Sequence, residues 1–381
     1  MKNTVKTAAG SPIFRRAALS WARLSSVTPQ RVWPVLRALG GVEALLGASE
    51  EELSRGLRSS ERARAVLRAA EDREADRWAA GLERLGFSIV TAFDDAYPEA
   101  LLEIPDPPFA LFAAGAIGRL KLPTVGIVGS RVASRYGREV ASRLARDLSR
   151  AGVCVASGFA RGVDAAAHEA ALEGAGGTIA VLGCGLDVDY PRENARLKDA
   201  LRAGGHLLLS EYPPGREPRA VHFPVRNRII AGLSAGVVVV EASRRSGSLI
   251  TARLASDFGR DVFAVPGSVF SETSVGAHEL LRDGAILCRS AEDVLTEIFP
   301  TIGAVRPAEA EPAAAADLSL EARTVLGVLA REGPSSTDEL ADASDLPAAT
   351  VLAALFELEA AGLAGESKGG RFDLARTAFA T

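Results

Sequence analysis

The chain reads as a doubly wound α/β protein with a mostly parallel sheet, carrying a helical domain before the sheet and a winged-helix domain after it. Three observations lead there. From Thr124 onward, short apolar runs (TVGIVGS, VCVASG, TIAVLGCG, HLLLSEY, AGVVVVEA, DVFAVPG and a shorter ILC) alternate with amphipathic stretches such as YGREVASRLARDLSRAG. Apolar strands alternating with helices imply a parallel sheet covered on both faces. The region before it has helical periodicity, and the region after it reads as three helices and a hairpin.

In order along the chain, residues 12–76 place Ala17, Leu24, Val32, Val35, Leu36, Leu39, Leu45, Leu46, Leu53 and Leu57 at helical spacing, broken at Thr28-Pro29 and Gly40-Gly41. The Gly40-Gly41 pair resembles the turn of a helical hairpin, a unit that holds a DNA backbone in some proteins and packs on a neighbouring domain in more of them. From Phe87 to Pro123 a short extended segment is followed by DDAYPEALLEIPDPPFALFAAG, which is proline-rich and holds the chain extended before the sheet. The Ala/Pro/Glu stretch TIGAVRPAEAEPAAAAD reads as a linker. LSLEARTVLGVLA, STDELADAS and PAATVLAALFELEAAGL then give three helices, and GESKGGRFDLA a hairpin. The expected domains are therefore 1–78 (helical), 79–300 (α/β), 301–317 (linker) and 318–381 (winged helix).

With 381 residues, 48% of them apolar, the chain has ample material for more than one core. No run approaches the roughly 20 apolar residues of a membrane helix, and the start MKNTVKTAAGSPIFRR lacks an apolar signal core. Cys154, Cys184 and Cys288 each sit in an apolar run, as buried thiols of a reducing compartment do. A cytoplasmic protein with no membrane contact is expected. The net charge of −4 conceals an asymmetry. Residues 126–253 hold 18 Lys/Arg against 12 Asp/Glu, and residues 307–381 hold 5 against 13. The middle can hold a polyanion and the tail should repel one. The last long helix carries Glu357 and Glu359 and no cation, unlike a helix that must approach phosphates.

The chemistry is concentrated in the turns that follow the strands, where ligands of open α/β sheets sit. Gly129-Ser130-Arg131 stands where a dinucleotide-binding protein has its glycine fingerprint, but the spacing differs and the second strand ends in Ser157-Gly158, without the acidic ribose partner. Arg131 is better read as a phosphate ligand. The second turn repeats the design with Arg161, and Asp164 is placed to cap the next helix. His168, four residues on, shares its face; a catalytic His–Asp pair is the alternative to a structural role, with no activated nucleophile evident. Asp187 and Asp189 are read as fixing the third turn and its arginines, while Arg192, Asn194 and Arg196 add a polar edge. Tyr212 is a candidate for base stacking or for pinning its loop. In FPVRNRIIAGLSAGVVVVEASRRSGS, Arg226 and Arg228 flank Asn227, and Ser246-Gly247-Ser248 opens a helix, a place suited to anions.

Taken in order, GSRVASRYG, SGFARGVDAAAH, GCGLDVDYPRENARL, SEYPPG, FPVRNRIIAGLS, EASRRSGSLITA and AVPGSVFSETSVGAHELLRDGA resemble the DNA-processing protein A (DprA, or Smf) family. The resemblance runs from Tyr97 to Phe299, and the flanking helical and winged-helix regions match its longer members. Gly162-Val163-Asp164 stands where the family often has Gly-Ile-Asp, and His278 where it usually has Asn. The resemblance implies an extended Rossmann-like core, no catalytic residue, no cofactor and no metal. It further implies binding of single-stranded DNA, dimerisation through the core, and loading of RecA recombinase in natural transformation. On that pattern Arg131, Arg192, Arg226 and Arg228 line the DNA groove. Ser157, Gly158, Arg161, Asn227, Ser246, Gly247 and Ser248 form the adjoining pocket, with Ser130 and Asn194 on the same rim. Two other readings stay open: an enzyme of the nucleoside monophosphate hydrolase type, and an adaptor acting mainly through protein contacts.

Overall fold

The computed structural model describes residues 11–24, 26–303, 318–367 and 370–374. The chain divides into two compact units, Met1–Ala304 and Val305–Thr381. The greater part of the expected linker, residues 304–317, lies outside the described residues.

The first unit is built on a nine-stranded sheet: β1 (Ser88–Thr91), β2 (Ala110–Gly115), β3 (Thr124–Val128), β4 (Cys154–Ser157), β5 (Thr178–Leu182), β6 (Leu207–Ser210), β7 (Gly236–Val239), β8 (Asp261–Ala264) and β9 (Ile286–Leu287). Their spatial order is β1-β2-β6-β5-β4-β3-β7-β8-β9. From β6 to β9 all neighbours are parallel. The order runs outward from β3 in both directions, so the chain reverses its progress between β3 and β7. That is the switch point of a Rossmann-like sheet, where the helices on either side diverge and leave a crevice. Strands β3 to β7 are buried throughout, which is why they read as unbroken apolar runs rather than alternating ones.

The sequence did not show that two segments before β3 join the sheet. β1 and β2 pair antiparallel with each other, and β2 pairs antiparallel with β6, so the expected short extended segment and the proline-rich stretch after it both belong to the sheet. ALFAAG is half alanine and buried along nearly its whole length, so it lacks both the branched residues and the alternation that mark a strand.

The N-terminal helices pack directly on this extension. Trp21 lies 5.1 Å from Phe109, and Trp33 donates its indole N–H to the Pro107 carbonyl at 2.6 Å. Buried aromatic pairs of this kind add about 0.5–1.5 kcal/mol each beyond the area they bury. The Gly40-Gly41 turn is present between helices Pro29–Leu39 and Val42–Gly47, with Gly40 at φ 91° closing the first of them. That left-handed conformation is the reason for glycine there.

The second unit is a winged helix. Helices Leu320–Glu332, Thr337–Ser344 and Ala348–Ala360 enclose one apolar core, and strands Ser335–Ser336, Ala364–Ser367 and Arg371–Leu374 form its small sheet. Ser336 and Glu339 make a capping box that starts the middle helix. Leu352 and Phe356 of the last helix stay exposed. Among the described residues no helix is long and apolar enough to cross a membrane.

One ion cluster ties the first unit together. Arg228 is 4% exposed and bonds Asp106 at 2.9 Å and Glu211 at 2.6 Å. Removing one member of a buried network strands the charges of the others. Arg228→Ala should therefore destabilise the first unit by about 3–5 kcal/mol, read as a lower denaturant midpoint; a midpoint unchanged from wild type would contradict this.

Candidate nucleic-acid interface

At the carboxyl edge of the sheet, two cavities of about 620 and 750 Å³ open side by side. The first lies between the ends of β3 and β7, lined by Ser130, Arg131, Asn227 and the Ser246–Ser248 turn. The second lies over the ends of β4 and β5, lined by Arg161, Tyr190, Arg192 and Glu193. Arg131, Gly158, Tyr190, Phe223 and Arg226 line both, so they form one crevice with two lobes.

Its floor is set by Arg226. The residue lies on helix His222–Leu233, is 4% exposed, and donates through Nη1 to the carbonyls of Gly158 and Val181. It thus joins the ends of β4 and β5 to the helix. Burial pushes its pKa down to about 10, with the carboxylate of Asp164 opposing that shift, so it stays charged at neutral pH. Asp164 is itself pushed upward by burial and held back by Arg226 and by the Ala160 amide, 3.2 Å away. Gly158 passes between the two: a Cβ there would stand 2.7 Å from both Arg226 Nη2 and Asp164 Oδ2. Only glycine fits without displacing the pair.

Asn194 supports the next stretch of floor. Phe159 is a non-glycine residue at φ 59°, a conformation that costs about 1–2 kcal/mol unless its surroundings hold it. Asn194 Nδ2 supplies that hold by donating to the carbonyls of Phe159 (3.0 Å) and Ala160 (3.3 Å).

Above the floor the groups are free. Arg131 and Arg192 are exposed and have no ion-pair partner among the described residues. Arg131 lies over the ring of Phe223 at 5.5 Å, and Tyr190 packs 5.4 Å from the same ring on the crevice wall. Arg161 is exposed and meets Glu193 at 3.2 Å, a contact weak enough for an anion to replace. In the first lobe Ser246 and Ser248 share a 2.7 Å hydroxyl contact, and Asn227 donates to the Gly247 carbonyl at 3.3 Å. These bonds shape the turn that opens helix Ser248–Asp257, where the Ser248 amide donates to Ser246 Oγ at 3.4 Å and the Leu249 and Ile250 amides to the carbonyls of Ser246 and Gly247, each at 3.2 Å.

Several expected site residues are elsewhere. Arg228 does not line the groove: it faces away from Arg226 and is taken by Asp106 and Glu211. Ser157 is fully buried, and its hydroxyl donates to the Ile127 carbonyl at 2.6 Å, binding β4 to β3. Asn194 is buried as the brace just described rather than on the rim. Asp187 accepts from the Gly215 amide and Asp189 pairs with Lys198, so neither fixes an arginine. Tyr212 stacks on His222 at 4.1 Å, outside both lobes. His278 holds the Gly267 loop through Nε2, 3.1 Å from its carbonyl. Tyr190, Phe223 and Arg219 also line the crevice, without a role that the sequence alone assigns. Aromatic residues beside arginines in successive turns were the available signal for the first two.

The crevice lacks the fittings of the alternative chemistries. His168 points to Thr178 (Nδ1 to Oγ1, 2.6 Å) and not to Asp164, so no His–Asp dyad forms. Burial pushes its pKa down to about 3. At the start of helix Arg135–Arg150, where a dinucleotide would set its pyrophosphate, Ser134 gives both its amide (2.9 Å) and hydroxyl (2.6 Å) to the carboxylate of Glu241. Glu241 also accepts from Thr273 at 3.3 Å, so the carboxylate ending β7 is a helix anchor outside the crevice. Burial raises the Cys184 thiol to about 11, well away from thiolate chemistry at neutral pH.

Fold and crevice together define a Rossmann-like protein whose sheet edge presents arginines and aromatic rings instead of a dinucleotide site. The chain belongs to the family described as DNA recombination-mediator protein A, whose model matches residues 88–299, and a DprA winged helix domain matches residues 309–370. It is 51% identical to the DNA processing protein DprA of Streptococcus pneumoniae over 211 residues, 55% of this chain and 74% of that one. It is 40% identical to Protein Smf of Escherichia coli over 297 residues, 77% and 79% of the two chains. Among solved structures, DprA of Streptococcus pneumoniae aligns with a TM-score of 0.63 at 40% identity, over 76% of this chain and 98% of that one. DNA processing protein A of Helicobacter pylori, whose structure concerns its single-stranded DNA binding mode, aligns with a TM-score of 0.51 at 32% identity, over 56% and 96%.

The state of His168 has a consequence in solution. The native imidazole resists protonation down to about 3, whereas the unfolded one titrates near 6.5. Its contribution to stability is complete above pH 6.5 and is lost as pH falls toward 3. Replacing it by Gln should flatten the fall in folding free energy across that window; an unaltered pH slope would contradict the assignment.

Proposed function

We propose that this protein binds single-stranded DNA along the carboxyl-edge crevice, as a carrier and not as an enzyme. The observation that carries the reading is the pairing of exposed, unneutralised Arg131 and Arg192 with the rings of Phe223 and Tyr190 over a floor braced by Arg226. A strand without sequence preference needs a basic track for phosphates and flat surfaces for bases, and base stacking contributes about 1–3 kcal/mol per base. The hydroxyls of Ser246 and Ser248, on the lining of the first lobe, offer donors to a further phosphate. The likeness to the Helicobacter pylori protein supports the same reading.

On the family resemblance, the bound strand is protected and passed to RecA recombinase during transformation or recombination, in the cytoplasm and by a homodimer formed through the Rossmann-like core. For the winged helix a protein contact is favoured over DNA, because its last helix exposes Leu352 and Phe356 and carries acids in place of cations.

Arg131→Ala and Arg192→Ala should each weaken binding of a labelled oligodeoxythymidylate about tenfold. Each should also reduce the slope of log affinity against log salt by about 0.7 for every phosphate that is no longer neutralised. Circular dichroism should show the fold intact. Wild-type affinity and slope in both variants would refute the crevice as the DNA site.

A further inference from the structure

A third cavity, of about 440 Å³, lies on the same edge of the sheet, at the end of β6 and the start of β2. The three cavities follow the strand order: β7 and β3, then β4 and β5, then β6 and β2. At about 4.8 Å between neighbouring strands, β3 and β6 are roughly 14 Å apart. One loop, Pro213–Arg219, contributes to the wall of all three. It is held to the β5 end by the Gly185 amide, which donates to the Arg216 carbonyl at 2.8 Å.

The outer wall of this cavity comes from the N-terminal helices. Trp21, Leu24 and Val27 give it an apolar side, and Tyr212 and Arg216 stand on the side nearest the crevice. Tyr212 has one face committed to His222. The Nε of Arg216 is buried without a hydrogen-bond partner among the described residues. The acid in the lining, Glu211, is neutralised by Arg228 at 2.6 Å. Arg23, also in the lining, is paired with Asp72 at 3.3 Å. Arg216 is half-buried and has no ion-pair partner among the described residues, so the cavity joins an apolar, aromatic wall to an unneutralised guanidinium, which is the chemistry of a base with its phosphate.

We propose that this cavity is a further subsite for the strand held in the crevice, so that the N-terminal helical region takes part in binding DNA. The inference rests on the proposed single-strand function. It assigns the strand a path along the sheet edge, past Arg216, with a base entering beside Tyr212. A short oligonucleotide would fill the two lobes of the crevice alone, and a longer one would reach the third site and gain from its linkage.

The test uses the full-length protein and fluorescence anisotropy with oligodeoxythymidylates of about six and about twenty nucleotides, lengths that bracket the site sizes of single-strand binders. Arg216→Ala, and Leu24→Glu at a partly exposed wall position, should lower affinity for the long oligonucleotide about tenfold. Both should bind the short one within twofold of wild type. Arg131→Ala should weaken both lengths, and if it weakens neither, the crevice reading fails independently of the third site. Wild-type affinity of both wall variants for the long oligonucleotide would overturn the subsite. So would equal losses at both lengths, which would put Arg216 in the crevice itself. Loss of dimer mass in Leu24→Glu with unchanged DNA affinity would assign the cavity to a second copy of the chain and overturn the proposal as well.

Discussion

The crevice depends on one buried cation. Arg226 satisfies the carbonyls of Gly158 and Val181, which lie just past Ser157 and Ala180, the last pair that joins β4 to β5. Hydrogen bonds from a charged donor in a buried setting contribute about 1.5–3 kcal/mol, and losing the donor costs more because the acceptors stay buried. Asp164 keeps that charge tolerable, and Gly158 leaves room for both. With these three in place the β4 turn takes its course under the crevice, Phe159 accepts a left-handed conformation, and Asn194 locks it. The field of Arg226 then acts from beneath, while the exposed Arg131 and Arg192 are free to touch a ligand.

The two arginines of the RNR stretch divide their work by helix geometry. Residues two apart on a helix point about 200° from one another. Arg226 therefore enters the crevice and Arg228 the opposite side, where it joins Asp106 before β2 to Glu211 after β6. One short sequence thus both builds the ligand floor and fastens the antiparallel extension on which the N-terminal helices pack. A groove lined by both arginines was an expectation that took the stretch as a cluster of charge and ignored the turn of the helix carrying it.

What could be read from the sequence follows from what its patterns encode. The seven parallel strands and the winged helix were legible because burial on both faces and helical periodicity leave runs in the chain. β2 was not, since a half-alanine run near prolines carries no such pattern, and β1, four residues of SIVT, showed only as a short extended segment without a partner. For the site, the turns that supply Arg131, Arg161, Arg192 and Ser246–Ser248 were legible as places, because polar residues after buried strands have nowhere else to go. Which members face a ligand was not. Ser157 and Asn194 have the residue types of a binding site, yet their donors are consumed by backbone carbonyls, a choice made by tertiary packing. Phe223 and Tyr190 come together only because the third turn folds over helix His222–Leu233.

On the proposed function a single strand lies along the carboxyl edge of the sheet, with its phosphates at the free arginines. A crystal structure of the full chain with a bound oligodeoxythymidylate tests it most directly. Phosphate oxygens should lie within hydrogen-bond reach of Arg131 and Arg192, with a base against Phe223 and Arg226 unmoved beneath them. An oligonucleotide seated on the winged helix or at the amino edge of the sheet, with the crevice unoccupied, would contradict it.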